Sequence, residues 1–308
     1  MAWTADDMPD LTDKVAIVTG ANSGLGLEIS RHLADHGATV VMACRNSRKA
    51  DDAANAIRRE VPHARLEQRQ LDLADLASIA TFAEVLGADH ERLDILINNA
   101  GLSGSDRTTT TDGFETIFGV NHLGTFALTA HLRPLIERTP GSRVATMSSA
   151  VHRLGRINFD DLMAERAYKA LRAYAQSKLA NLLFTAELHR QFTTSGSSTI
   201  AVAAHPGGAP TNLGSDNHGV TGAIAKLPTF TGQSIQTAAL PMLLAVTAAE
   251  VRGGQFYGPK YQVTGRPVIE TPSRRARNVN DATRLWELSE RLTRERRQQR
   301  QGGLSDPV

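Results

Sequence analysis

Residues 14–26 read KVAIVTGANSGLG, from Lys14 to Gly26. Val15, Ala16, Ile17, Val18 and Thr19 form an unbroken run of apolar and β-branched residues. A run without polar alternation suits a strand buried on both faces, as parallel sheets require. It runs straight into Gly20, Gly24 and Gly26, with Ala21, Asn22, Ser23 and Leu25 between them. Leu25, Ile29 and Leu33 then recur four apart, the spacing of a helix that lays one face on a sheet. The glycines therefore sit at a strand-to-helix turn. A backbone without Cβ atoms can approach a pyrophosphate there, with the helix N-terminus facing it. The Gly-x-x-x-Gly-x-Gly spacing alone also fits a plain tight turn; the flanking strand and helix favour a nucleotide.

Working outward, the 308 residues allow one large domain or two ordinary ones. A hydrophobic content of 41% with 21% charged residues is that of a globular chain with ample core. The net charge of +2 gives no argument for a nucleic-acid or membrane partner. Cys44 is the single cysteine, which excludes an internal disulfide and suits a reducing compartment. The first residues, MAWTADDMPDLTDK, lack a basic n-region and an apolar h-region, and no run of eighteen apolar residues occurs. The expectation is a cytoplasmic protein without a membrane span.

Beyond Gly37 the chain alternates. Strands are expected over 38–43, 64–71, 93–97, 143–147, 199–204 and 254–257, and helices over 46–60, 73–86, 112–138, 166–191 and 233–249. Pro134 is a candidate kink in the helix 112–138. This pattern predicts an α/β fold, a single doubly wound parallel sheet of Rossmann type with helices on both faces. Without a composition break, residues 14–270 are read as one domain, after a lead-in 1–13 and before a helical extension and tail 271–308. Two stretches resist the alternation. Residues 150–165 and 207–232 leave C-terminal strand ends, where ligands bind in such sheets, and read as a substrate rim and a lid.

Tyr174 and Lys178 open a helix and share one face of it, about 5–6 Å apart at Cβ. A free phenol has a pKa of about 10, so acid–base work near neutrality needs a nearby positive charge, which Lys178 supplies. Tyr-x-x-x-Lys pairs also arise by chance on helix surfaces. Ser148 and Ser149 end the strand 143–147, and alternation sends them to opposite faces. Either hydroxyl could hold a substrate oxygen as charge develops on it. The histidines, among them His32, His122, His152 and His205, show no metal-ligand spacing and read as structural or exposed; no metal is expected. Trp286 lies in an apolar pattern that suits a docked helix, and the arginines 291–300 read as its charged continuation or as a frayed, solvated tail, without the aromatic interleaving of a nucleic-acid site.

Together these stretches resemble the short-chain dehydrogenase/reductase family. The resemblance rests on the loop Thr19–Gly26, Asn98-Asn99-Ala100-Gly101, Asn121, Ser149, Tyr174 and Lys178, and covers roughly residues 14–213. It implies catalysis by Asn121, Ser149, Tyr174 and Lys178, with Ser149 rather than Ser148 as the working serine. Asn121 is then the residue that bends its helix and holds a water between Lys178 and solvent. It places Gly20, Asn22, Ser23, Gly24, Leu25 and Gly26 on the cofactor, Asp72 and Leu73 beside its adenine, and Asn98 to Gly101 next to it. Asn121, Tyr174 and Lys178 are also counted among the cofactor-binding residues. Pro206, Gly207 and Thr211, in His205-Pro206-Gly207-Gly208-Ala209-Pro210-Thr211-Asn212, match the segment that covers the nicotinamide amide, although Pro210 is unusual there. The longer gap between Ser149 and Tyr174, with Met42–Asn46 and Ser177–Asn181, is similar to the branch of retinol dehydrogenases and protochlorophyllide reductases. The membrane anchor of many retinol dehydrogenases has no counterpart in this sequence.

The end of the second strand decides the coenzyme. NAD enzymes hold the ribose 2′-hydroxyl with Asp or Glu there. Here the stretch is Ala43-Cys44-Arg45-Asn46, and Arg45 can pair with a 2′-phosphate, helped by Arg48 or Lys49. NADP(H) is expected over NAD(H); the bland alternative is an arginine that only solvates a loop. The implied activity is hydride transfer between nicotinamide and the carbonyl or alcohol carbon of a small molecule. Val151, Leu154, Leu213, Val220, Ile224 and Leu227 suggest that this molecule is apolar. Reduction of a carbon–carbon double bond and a non-catalytic NADP sensor are the other readings, and the Tyr–Lys–Ser set speaks against the sensor. The resemblance also implies a homodimer or homotetramer.

Overall fold

The computed structural model describes residues 3–208 and 233–302, the last six as backbone only. Its strands are β1 (Val15–Thr19), β2 (Thr39–Cys44), β3 (Arg65–Gln70), β4 (Ile95–Asn98), β5 (Arg143–Met147), β6 (Ile200–Ala204), β7 (Phe256–Pro259) and β8 (Pro267–Glu270). They form one sheet in the order β3-β2-β1-β4-β5-β6-β7-β8. All neighbours are parallel except β7 and β8. The order reverses between β1 and β4, so their C-terminal ends part the helices and open a crevice.

The sheet is buried on both faces because successive β residues point to opposite sides. Val15, Ile17, Val41, Leu96, Val144 and Ala201 enter one core. That core is completed by α3 (Leu76–Asp89), α5 (Thr125–Glu137), α6 (Ala170–Thr194) and α8 (Val279–Gly302). Ala16, Val18, Val40, Ile97, Ala145 and Val202 enter the other, against α1 (Gly24–Asp35), α2 (Ser47–Glu60) and α7 (Ile235–Thr247). Helix boundaries have local causes. Asn46 Oδ1 accepts from Lys49 N at 2.9 Å to start α2, and Gly37, at φ +92°, turns the chain out of α1.

Three differences from the sequence reading matter. First, the sheet is not wholly parallel: β8 adds an antiparallel edge, a four-residue strand preceded by Arg266 and opened by Pro267. Second, the span 112–138 is not one helix kinked at Pro134. It comprises α4 (Thr116–Phe118), a π-helical turn Gly119–Gly124 and then α5, with Pro134 inside α5. Third, α8 stays helical through the arginine-rich stretch to Gly302. Its Trp286 ring lies 4.8 Å from Phe126 and stacks on Phe184 at 5.8 Å. Thr211, Leu213, Val220, Ile224, Leu227 and the expected lid, apart from Gly207 and Gly208, lie outside the described residues. Among the described residues no helix is long and apolar enough to cross a membrane.

Candidate active site

The glycine loop leaves β1 through Gly20, at φ +67°, and enters α1 at Gly24, at φ +54°. Close approach explains the third glycine. A Cβ on Gly26 would lie 2.3 Å from Gly20 O and 2.6 Å from Asn99 Nδ2. Ser23 is the α1 N-cap, but its side chain makes no capping bond and the first turn carries no acidic residue. The N–H groups of that turn remain available to an anion, which a dinucleotide pyrophosphate would satisfy.

The adjoining strand end is tied to this loop by side-chain bonds. Asn99 Nδ2 donates to Thr19 O at 2.9 Å. Thr19 Oγ1 accepts from Asn99 N and Ala100 N at 3.0 and 2.9 Å. Asn98 Nδ2 donates to Thr129 Oγ1 at 3.1 Å, anchoring β4 to α5. Asp72 Oδ1 accepts from Ala74 N at 2.9 Å, and Leu73 is buried with its carbonyl against Gly124. The Cys44 thiol is buried against the Ala21 and Asn22 backbone, which pushes its pKa up to about 11. Arg45, Arg48 and Lys49 are exposed at the end of β2, and no carboxylate partners Arg45 among the described residues. The residues present therefore fit a dinucleotide: a glycine-rich turn, open helix N–H groups and, among the described residues, an exposed arginine without a carboxylate partner at the end of β2.

Tyr174, Lys178 and Ser149 meet across the tips of β4 and β5. Lys178 Nζ lies 5.6 Å from the centre of the Tyr174 ring and donates to Met147 O at 3.3 Å. Asn181 Nδ2, one turn on, donates to the same carbonyl at 3.1 Å. The Ser149 hydroxyl faces the Tyr174 phenol and accepts from Val151 N at 3.3 Å. Ser148 is turned away: its Oγ donates to Lys178 O at 2.8 Å. Burial pushes the Tyr174 phenol up to about 12, with the Ser149 contact pulling the other way. Burial also lowers the Lys178 ammonium to about 8. Both shifts are desolvation effects, each disfavouring the charged form.

Asn121 sits in the π-helical turn and braces the site. Its Oδ1 accepts from Leu102 N at 2.8 Å, and its Nδ2 donates to Leu102 O at 2.9 Å and to Ser177 Oγ at 3.0 Å. Ser177, which the sequence reading passed over, donates in turn to Tyr174 O at 2.8 Å. Gly101 leaves room beside both groups: a Cβ there would lie 3.1 Å from Lys178 Nζ and 3.3 Å from Asn121 Oδ1. Around Tyr174 pack Leu102, Ile117, Val151, Tyr168 and Ala173, an apolar wall.

The ends of the expected lid are held partly by two residues the sequence reading did not single out, Gln233 and Glu270. Gln233 Nε2 donates to Pro206 O at 3.1 Å. Gly207, at φ +72°, has its N–H on His205 Nδ1 at 3.2 Å, and His205 Nε2 lies 2.8 Å from Glu270 Oε1. Thr211 is outside the described residues. Glu270 carried no advance signal, since it ends β8, a strand without a readable period.

Comparison with known proteins agrees with this geometry. The profile of the short chain dehydrogenase family matches residues 14–218. Retinol dehydrogenase 13 of Homo sapiens is 42% identical over 288 residues, covering 91% of this chain and 84% of that protein. Retinol dehydrogenase 12 of Mus musculus is 40% identical over 280 residues, 90% and 85% of the two chains. Among solved structures, an uncharacterised protein from Mycobacterium paratuberculosis is 41% identical with a TM-score of 0.81, covering 96% of this chain and 98% of that one. A short chain dehydrogenase of Escherichia coli, solved as a complex with NADPH, shares the fold at 23% identity, with a TM-score of 0.65 over 81% and 98% of the chains. A loop that can cradle a dinucleotide, a tyrosine–lysine–serine set at the neighbouring strand tips and these likenesses converge: the chain belongs to the short-chain dehydrogenase family and is an oxidoreductase.

Proposed function

We propose that the protein is an NADP(H)-dependent oxidoreductase acting on the carbonyl or alcohol carbon of an apolar small molecule. The observation that carries the reading is the convergence of Tyr174, Ser149 and Lys178 beside the Gly20–Gly26 cradle. When bound, the coenzyme supplies or accepts the hydride. The chain's own residues do the rest. Ser149 directs its hydroxyl at the substrate oxygen next to Tyr174. Tyr174 gives that oxygen its proton in reduction and takes it back in oxidation. Lys178 places a positive charge 5.6 Å from the phenol ring and lowers the cost of the phenolate. Asn121 has both amide hydrogens committed to Leu102 and Ser177, so a relay water between Lys178 and solvent would have to accept from other donors. Arg45 receives the 2′-phosphate, which is why NADP(H) is preferred to NAD(H).

The apolar wall formed by Leu102, Ile117, Val151 and Tyr168 supports an apolar substrate. Two of the relatives above are retinol dehydrogenases, so long apolar alcohols and aldehydes of that kind head the substrate panel. The deciding experiment replaces Tyr174 with Phe. Coenzyme should still bind, while turnover of every carbonyl substrate falls by about 100-fold or more, the scale of a lost general acid. Turnover at near the parent rate would end this mechanism.

A further inference from the structure

Two segments at the substrate end of the sheet have a composition unlike the rest of the chain. Residues 150–157 carry two cations, Arg153 and Arg156, and no carboxylate. Residues 256–280 carry five, Lys260, Arg266, Arg274, Arg275 and Arg277, against one carboxylate, Glu270. The segments touch: Arg153 Nη2 donates to Thr271 O at 3.3 Å, and Arg275 Nη1 to Gly155 O at 3.0 Å. Arg153, Lys260, Ile269, Arg274 and Arg277 line one open depression. Glu270 is turned inward to His205 at 2.8 Å, with Arg153 at 3.5 Å. Lys260, Arg266, Arg274 and Arg277 have no carboxylate partner among the described residues.

The same two segments hold most of the surface's large apolar side chains. Among the described residues six such side chains are exposed, and four lie here: Leu154 at 70%, Tyr261 at 68%, Val279 at 63% and Ile269 at 60%. Leu154 follows Arg153 and Tyr261 follows Lys260, so each apolar group stands beside a cation. A net charge of only +2 for the whole chain makes a local excess of this size a feature of the face rather than of the composition.

We infer that this face docks on a lipid bilayer bearing anionic headgroups. Apolar side chains ringed by Arg and Lys match an interface in which hydrocarbon lies just beneath a layer of phosphate and carboxylate charge. Nucleic acid would satisfy the cations but leave Leu154, Ile269 and Val279 in water. A second copy of the same face would bring a net six positive charges against six across a two-fold axis. Docking here sets the first half of the rim 150–165 on the membrane, and Ser149 precedes that rim directly. If the substrate is apolar, as proposed above, the bilayer is its reservoir; docking itself does not depend on that reaction.

The test is co-sedimentation of the full chain with vesicles of phosphatidylcholine alone and of phosphatidylcholine with about one third phosphatidylserine. Binding is expected to the anionic vesicles, to be much weaker on the neutral ones, and to decline with salt. The double variant Lys260→Glu, Arg277→Glu should bind at least roughly 30-fold more weakly, the worth of the two attractions lost, with the two repulsions gained adding to that. Ile269→Ser, Val279→Ser should keep the salt dependence and lose affinity. Neither pair touches the active site, so turnover of a water-soluble carbonyl compound should stay at the parent level, which also certifies folding. A chain that turns over no substrate would sink the reaction proposed above and leave the vesicle result to be read by itself. Equal binding by the parent and the charge-reversed chain overturns the proposal. So does tighter binding to single-stranded DNA than to vesicles, or light scattering that shows a dimer abolished by the same substitutions.

Discussion

Replacing Lys178 tests the electrostatic core of the site. Lys178 is buried, and holding its charge there lowers its pKa from 10.5 to about 8, a penalty of about 3 kcal/mol. The charge pays for itself at Tyr174, whose phenol burial raises to about 12. Ionising that phenol at neutral pH costs about 7 kcal/mol at about 1.4 kcal/mol per unit. A unit charge at 5.6 Å, with an effective dielectric of about 20, offsets about 3 kcal/mol of that. Lys178→Met should therefore reduce kcat/KM about 100-fold. The pH profile gives a sharper reading. Lys178 is charged below its folded pKa and loses that charge as pH climbs through about 8. Tyr174 remains protonated over that range. The parent's kcat/KM for reduction should fall above about pH 8, with a slope of one. In Lys178→Met the profile should be flat and low, and in Lys178→Arg the fall should move out of range. Initial rates at subsaturating substrate, taken between about pH 6 and 9.5, measure all three. A fall near pH 8 that survives in Lys178→Met would refute the argument, since some other group would then be titrating.

Arg45→Ala should lower kcat/KM with NADPH by about 10- to 100-fold, the worth of a charge-assisted bond to phosphate, and leave NADH rates unchanged; an unaltered ratio would mean that Arg45 never meets the coenzyme. Gly26→Ala should cost about 1–3 kcal/mol in urea unfolding, because its Cβ would lie 2.3 Å from Gly20 O, whereas Gly24→Ala, with nothing within 4 Å, should cost only the φ strain of about 1 kcal/mol. Acid should destabilise the fold before the carboxylates titrate. Burial lowers His122 to about 3 and His152 to about 4, against 6.5 when unfolded. Only the unfolded chain takes up these protons between pH 7 and 5, so stability present above about pH 6.5 should be lost on acidification, about 2 kcal/mol per histidine by pH 5. His122→Gln should lose about 2 kcal/mol less than the parent over that range in paired denaturation curves, and an identical loss would exclude His122 as a source.

The parts of the fold that were legible in advance are those carried by local pattern. β1 and β5 fall where the apolar runs ended, because a strand buried on both faces leaves no polar alternation to blur its limits. The absence of a carboxylate after β2 was equally visible, and Arg45 stands there exposed. β8 was missed because four residues opened by a proline give no period to read, and its place depends on pairing with β7. Strand alternation alone could not choose between Ser148 and Ser149; the family resemblance chose Ser149, and what lies opposite each one gives the physical reason. Lys178 O takes the first hydroxyl, and the Tyr174 phenol faces the second. The contact between His122 Nε2 and Ser289 Oγ, at 2.9 Å across 167 residues, was beyond any local reading.

The π-helical turn around Asn121, where the resemblance implied a bend, shows why periodicity alone could not find it. Apolar periodicity over 112–138 averages at 3.6 residues per turn, and one i→i+5 turn inside it shifts the phase by about one residue without erasing the pattern. What permits the shift is steric. A Cβ on Gly119 would lie 2.6 Å from Thr110 Cγ2, and one on Gly124 would lie 2.3 Å from Leu73 O. The turn is thus bounded by two positions where only glycine allows the neighbouring chain so close. Between them the widened turn carries Asn121 to where its amide spans Leu102 and Ser177, joining the tip of β4 to the helix that carries Tyr174 and Lys178. A regular α-helix would displace Asn121 by roughly 100° around the axis for a one-residue slip and break that bridge. The bridge from Leu102 to the helix of Tyr174 and Lys178 therefore depends on a helical irregularity that begins and ends at a glycine.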